Sequence, residues 1–339
     1  MKIALDVMGG DHAPTANLDG AKLAIQSLPD IKRLYMVGDE QTIKAQLDGS
    51  LIDQKKIEIV HADQTVEMHE SPAKAIRRKK NSSISIATDL VKEGTCEALV
   101  SAGNTGAAVA AATIKLRNLP GVERAGIASP IPNEHGQCNI VDAGANPDAK
   151  PIHLLQYAIM GTVYSKHVLG KASPRVGLMS VGTEDDKGTE LTREVFAMLK
   201  ESSLNFIGNI EGHDLFEKEI DVVVCDGFTG NVMLKSCEAT ASIMTKWIKK
   251  EIIKSPLRKI GAALIKPAFK AAMNRGSYEE YGGSPLLGIN GTCIIAHGGS
   301  SALAIKNALR VAAETVSHRV NPHIEEEISK LCKSLPAHA

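Results

Sequence analysis

One recurring arrangement narrows the fold most: a short aliphatic or β-branched run ends in a glycine-rich polar loop, and a helix-like segment follows. The runs lie at 2–7, 34–37, 57–60, 98–101, 175–181 and 221–225, and the helical segments at 16–28, 74–92, 105–116, 152–169, 191–200 and 302–319. Antiparallel neighbours can be joined by a tight turn, whereas parallel neighbours need a crossover long enough to hold a helix. The alternation therefore predicts an α/β fold of three layers, a largely parallel sheet between two layers of helices. At 339 residues the chain is long for one compact domain but ordinary for a single large α/β unit, so one unit spanning 1–339 is expected. The stretch 246–275 is different, with nine lysines and arginines against one acid, Glu251. Pro256 and Pro267 are expected to divide it, because proline removes a helical donor and clashes one turn back. The segment 239–275 reads as a helical arm protruding from the α/β body.

The polar loops stand at 6–14, 101–106, 141–146, 181–189, 226–231 and 297–301. In an open parallel sheet such loops share the carboxyl edge, where ligands bind, so six of them predict one active cleft. Their chemistry suits an anion, since glycines let backbone N–H groups approach and helix N-termini present unpaired donors with partial positive charge. Gly, Asn, Ser and Thr at strand ends also turn the chain and cap the next helix, and for any single loop that reading stands beside the first.

Other chemistries lack their marks. Lysine plus arginine equals aspartate plus glutamate at 39 each, so no global charge calls for nucleic acid or a membrane. Aromatic residues are 3%, too few for base-stacking platforms. The six cysteines are scattered without a C-x-x-C pair, as in a reducing cytosol. The N-terminus reads as a strand rather than a signal sequence, and no apolar run approaches the roughly 18 residues of a membrane span. No G-x-G-x-x-G follows a strand and no G-x-x-x-x-G-K-[ST] occurs, though Lys187 in its glycine-bounded loop invites the comparison. No histidine or cysteine cluster has metal-ligand spacing, so no metal and no cofactor are expected, and His153 reads as structural or exposed. There is no nucleophile elbow, and Ser300 and Ser301 read as caps of the following helix.

At these loops the sequence resembles the PlsX family of phosphate acyltransferases. The matching segments are 3–14 (IALDVMGGDHAP), 75–83 (AIRRKKNSS), 101–107 (SAGNTGA), 181–188 (VGTEDDKG), 226–231 (DGFTGN) and 281–288 (YGGSPLLG), in family order across nearly the whole chain. The resemblance implies an α/β/α fold akin to isocitrate dehydrogenase and phosphotransacetylase, and a homodimer. It implies transfer of a long-chain acyl group from the thioester of acyl carrier protein to inorganic phosphate, giving acyl phosphate for a glycerol-3-phosphate acyltransferase of phospholipid synthesis. A fold shared with dehydrogenases does not carry their chemistry with it. The loop with Asn133, Glu134 and His135 has no match and is given no role.

Such a reaction needs positioning, neutralisation of phosphate charge and donors for an oxyanion. Lys187 is the candidate for steadying phosphate or the oxyanion, and Asn231 for donating its amide to the same oxygen. Gly9 and Gly10 are placed to cradle phosphate, with Asp11 and His12 supplying or orienting a proton. Asn104 and Thr105 are candidates for orienting the thioester or phosphate, and Thr183, Thr229 and His297 for binding substrate. The alternatives are a phosphotransacetylase-like enzyme using coenzyme A thioesters, a noncatalytic scaffold that recruits carrier protein to the membrane, and a dehydrogenase of related fold.

Two surfaces complete the reading. Arg77 and Arg78, in the run Arg77-Arg78-Lys79-Lys80, are a candidate landing site for acidic carrier protein, or else a solvated helix face. Leu257, Ile260 and Leu264 recur at helical spacing among cations, as a stripe that rests on an anionic membrane surface or, alternatively, belongs to a dimer contact. The expected location is the cytoplasm, peripherally at the inner face of the cell membrane.

Overall fold

The structure, a computed structural model, describes residues 1–47, 54–275 and 278–334. In chain order the first strands and helices are β1 (Lys2–Asp6), α1 (Thr15–Ser27), β2 (Arg33–Gly38), α2 (Glu40–Leu47), β3 (Ile57–His61), α3 (Pro72–Arg78), α4 (Ser83–Lys92), β4 (Ala98–Ser101) and α5 (Thr105–Lys115). Then come β5 (Gly126–Asn133), β6 (Gly136–Val141), α6 (Pro151–His167), β7 (Val176–Met179), α7 (Glu190–Glu201), β8 (Phe206–Ile210), α8 (Asp214–Glu217) and β9 (Val222–Val224). The last are α9 (Gly227–Ile252), α10 (Pro256–Arg275), α11 (Tyr278–Tyr281), β10 (Ser284–Leu287), β11 (Thr292–Ile295), α12 (Ala302–Ser317) and α13 (Val320–Ser334).

The strands form one sheet in the order β3-β2-β1-β4-β11-β10-β5-β6-β9-β7-β8. The period of two sorts the first half cleanly. Ile3, Leu5, Leu34, Met36, Val100 and Ile294 pack on one face against α1 and α12. Ala4, Tyr35, Leu99, Cys293 and Ile295 pack on the other with α4 and α5. The second half has its own cores, one joining β7 and β9 to α6, α7 and α13, the other closing around Ile140, Ile210 and Val223. This is the three-layer α/β/α arrangement expected.

The single carboxyl edge expected for the six loops is not what the sheet provides. β1 to β4 and β11 are mutually parallel, as are β6 to β9, but β10 and β5 interpose three antiparallel pairings between the groups. The two halves therefore run in opposite directions. Register brings their ends together nonetheless: Ile295 at the end of β11 pairs with Ser284, Leu286 pairs with Ile127, and Ala128 pairs with Val141 at the end of β6. The halves are thus offset along β5 so that both sets of carboxyl ends meet near its middle.

Three other expectations change. The segment 74–92 is two helices, because Lys79 leaves helical geometry and Ser82 is extended before α4 begins. Pro267 does not divide the arm: α10 runs through it, and the Ala263 carbonyl, which loses its donor to Pro267, lies on an exposed residue where water can replace it. The unmatched loop at 131–138 is the end of a hairpin joining β5 and β6. Pro130 and Pro132 conceal β5 in the sequence, yet both stand beyond Ile127, where β5 pairs with β6 alone.

Candidate active site

The loops after β1, β4 and β11 gather first. The Asn17 side-chain amide donates to the carbonyls of Val7 at 2.7 Å and Gly9 at 2.8 Å, and the Asp11 amide donates to the Gly298 carbonyl at 2.8 Å. Gly9 lies so close to the β4 loop that a Cβ there would stand 2.8 Å from the Gly103 nitrogen. Beneath this contact Asp6 is buried, its Oδ2 accepting the Ser101 hydroxyl at 2.7 Å and its Oδ1 without a hydrogen-bonding partner. Burial raises its pKa above the ordinary carboxylate value, outweighing the nearby Ser83 and Ser101 hydroxyls and the Met8 and Gly9 amides. Asp11 and His12 are exposed on the rim of this loop, and Gly10 is half-buried.

The loops after β6 and β9 are tied by a second buried acid. Asp142 Oδ1 accepts the amides of Ile127, Gly144 and Ala145, and Oδ2 accepts that of Asn146 at 2.7 Å. The Asn146 carbonyl in turn accepts the Gly227 amide at 3.0 Å. Asp226 caps α9, taking the Thr229 amide at 2.9 Å and the Thr229 hydroxyl at 2.7 Å. These bonds fix the first turn of α9 and with it Asn231, whose exposed side chain leaves the helix beside Gly144.

Between the two groups of loops lies a cleft lined by Thr105, Asn231 and His297 among the expected residues, with Ser129, Ser284, Lys235 and Glu238 alongside. Ser129 and Ser284 place their hydroxyls 3.3 Å apart. The cleft encloses about 130 Å³, well below the roughly 300–1,000 Å³ of a site that swallows a drug-sized ligand. It has room for a small reacting group, and a long chain or a carrier would lie outside it.

The remaining candidates are placed differently. Lys187 and Thr183 are exposed on the loop after β7, which neighbours the α9 loop because β7 pairs with β9, but neither lines the cleft. Asn209 on β8 holds that loop by donating to the Glu184 carbonyl at 2.7 Å. Asn104 is not a spare donor for a thioester: its Oδ1 caps α5 at the Ala107 amide and its Nδ2 donates to the carbonyls of Met68 and Glu70. Thr229 is likewise engaged by Asp226, and Ser301 caps α12 through the Ala304 amide. His153 is buried, accepting the Lys150 amide on Nδ1 and meeting Glu123 through Nε2. In the basic run, Arg77, Arg78 and Lys80 are exposed, while Lys79 turns inward to Glu70 and the Thr65 carbonyl. Leu257 and Leu264 are 78% and 79% exposed on α10, too open to be core residues of this chain.

Sequence reasoning missed Asp6, Asp142, Ser129, Ser284, Lys235 and Glu238. Lys235 and Glu238 carry a usable signal, since they follow Asn231 by four and seven residues, the spacing of one helix face. Ser129 and Ser284 carry none, because they meet only through pairings between distant segments.

The model of the family described as fatty acid synthesis protein matches residues 1–323. A phosphate acyltransferase of Akkermansia muciniphila is 56% identical over 337 residues, covering 98% of this chain and 97% of the relative. One of Pelotomaculum thermopropionicum is 50% identical, covering 98% and 96%. The chain belongs to the phosphate acyltransferase family. It is accordingly an enzyme that transfers acyl groups. Among solved structures, a phosphotransacetylase of Streptococcus pyogenes superposes with a TM-score of 0.62 over 94% of each chain at 16% identity. The EutD phosphotransacetylase of Staphylococcus aureus gives 0.56 at 16% identity, over 93% of this chain and 94% of its own. At such identities the likeness establishes a common fold.

Proposed function

We propose that the enzyme moves a long-chain acyl group from the thioester of acyl carrier protein to inorganic phosphate, releasing acyl phosphate and free carrier for phospholipid synthesis. The observation that carries this reading is the cleft, where a helix-borne amide (Asn231), a helix start (Thr105) and an imidazole (His297) converge in a space suited to a small reacting group. A phosphate oxygen attacks the thioester carbonyl carbon, the carbonyl oxygen takes the negative charge, and the carbon–sulfur bond then breaks to release the thiolate. Phosphate is already a nucleophile and a thiolate a tolerable leaving group, so orientation and charge stabilisation are the main requirements. Asn231 donates to the oxyanion, and Lys187 adds positive charge from the neighbouring loop. Gly9 and Gly10 shape the phosphate approach, while Asp11 and His12 manage the proton that sulfur acquires.

Carrier protein, whose surface is acidic, docks near Arg77 and Arg78. The enzyme works as a homodimer at the inner face of the membrane, with Leu257, Ile260 and Leu264 in contact with lipid, and passes its product to a glycerol-3-phosphate acyltransferase. Among the described residues no helix is long and apolar enough to cross a membrane, so the contact proposed is peripheral. The test is to incubate purified protein with phosphate and long-chain acyl carrier protein and trap acyl phosphate with hydroxylamine. Acyl hydroxamate above the no-enzyme level is expected. Its absence with intact thioester would reject the reading, and product from acyl-coenzyme A but not from acyl carrier protein would move the donor to the phosphotransacetylase type.

A further inference from the structure

We infer that Lys235 is the cation that receives phosphate within the cleft, and that Glu238 positions it. This assignment rests on phosphate being the acyl acceptor and names the residue that holds it. Among the described residues that line the cleft, Lys235 is the one lysine or arginine. It follows Asn231 by one helical turn, so the proposed oxyanion donor and this ammonium leave α9 on the same face. The α9 start that sets both is fixed by the capping of Asp226 and by the Asn146 carbonyl.

Glu238 supplies the second, independent observation. A carboxylate in the wall of a cleft that admits a multiply charged anion raises the cost of binding, unless its own charge is committed to a cation. Here it is committed: Lys235 Nζ lies 2.8 Å from Glu238 Oε2, and His297 Nε2 approaches the same oxygen at 3.9 Å. All three residues line the cleft. The bond to Glu238 uses one of the three ammonium donors, so two remain for phosphate oxygens. Glu238 holds a long, mobile side chain at one place and aims it, which reduces the ordering cost on binding. Lys187, on the loop after β7, does not line the cleft.

Steady-state kinetics with phosphate and acyl carrier thioester varied separately tests the assignment. Lys235→Met should raise the KM for phosphate about ten- to a hundred-fold, the range expected for a lost hydrogen bond to a charged group, and leave the KM for the acyl donor within about two-fold. Lys235→Arg should recover part of the loss, because charge is restored with altered geometry. Glu238→Gln should shift the phosphate KM and again spare that of the donor. If wild type yields acyl phosphate but Lys235→Met keeps a wild-type phosphate KM, or if both KM values rise together, the assignment is wrong while the proposed function stands. If wild type yields none, the function itself falls. Should Lys235→Met not fold, Lys235→Arg and Glu238→Gln decide by the same split between substrates.

Discussion

Asp6 carries a carboxyl group in a place that disfavours its charge, and that makes it a titration marker for the first half of the molecule. Burial raises its folded pKa above the ordinary 3.8, so the folded state binds its proton more tightly than the unfolded state. Its contribution to stability is therefore greatest below that value and declines as pH rises toward the folded pKa, above which the cost of the buried charge persists. Asp6→Asn removes the titration, keeps an oxygen for Ser101 and puts an amide where the partnerless Oδ1 stood. The melting temperature of the variant relative to wild type should accordingly rise as pH is raised from about 4. A difference that stays flat across the acid range would show that Asp6 ionises freely in the fold. Asp142, also raised by burial, is common to both proteins and cancels in the comparison. Such acids are poorly legible in a sequence. The loop beginning at Asp6 is easy to see, but whether its first residue faces water or lies under Gly9 and Gly103 depends on β4, which is far away in the chain. Asn104 shows the reverse: its type suits both a cap and a substrate donor, and only the carbonyls of Met68 and Glu70 resolve the choice.

At the scale of the element, α9 links the fold to the chemistry, and its first turn has almost no tolerance. A Cβ on Gly230 would stand 2.0 Å from the Asp142 carbonyl oxygen, a backbone atom of a residue whose side chain is held by the amides of Ile127, Gly144, Ala145 and Asn146. Gly230→Ala must therefore displace the helix start that carries Asn231, and should cost about 1–3 kcal/mol or more, with turnover falling further than stability. Gly261 in α10 is the matched control, because a Cβ there meets nothing within 4 Å. Gly261→Ala should raise the melting temperature slightly, by the ~1 kcal/mol separating the two residues in a helix interior. Thermal denaturation of both variants checks the pair, and similar losses in both would remove the special status of the first turn. Periodicity revealed helices of the α/β body because they bury a local face, as α12 does against α1. It did not reveal β5 or β10, since the prolines of β5 and the four-residue length of β10 leave no local pattern and the strand character of both comes from their partners. The direction of the second half was hidden for the same reason, since a helix-rich crossover reads alike whichever way its half of the sheet points.

For the whole molecule, the arm is the part whose surroundings are not supplied by its own chain. Ile243, Met244, Trp247 and Ile248 on α9 are exposed, as are Leu257, Ile260 and Leu264 on α10, an apolar area of the kind that marks an interaction surface. Changing Leu257, Ile260 and Leu264 together to Glu should abolish sedimentation with anionic liposomes while sparing the proposed dimer and turnover in solution. If gel filtration instead shows monomers, the stripe belongs to the dimer contact. The body presents a different problem, one of time. β4 is flanked by β1 and by β11, and β11 lies near the end of the chain, with α12 behind it covering the same face as α1. During synthesis the first half thus emerges from the ribosome with the β11 side of β4 uncovered, and it stays so while the entire second half is made. A ribosome stalled after β9 would present that edge open to other chains and to chaperones, whereas the released chain, with β11 and α12 free to dock, closes it, so this enzyme must complete its first half last.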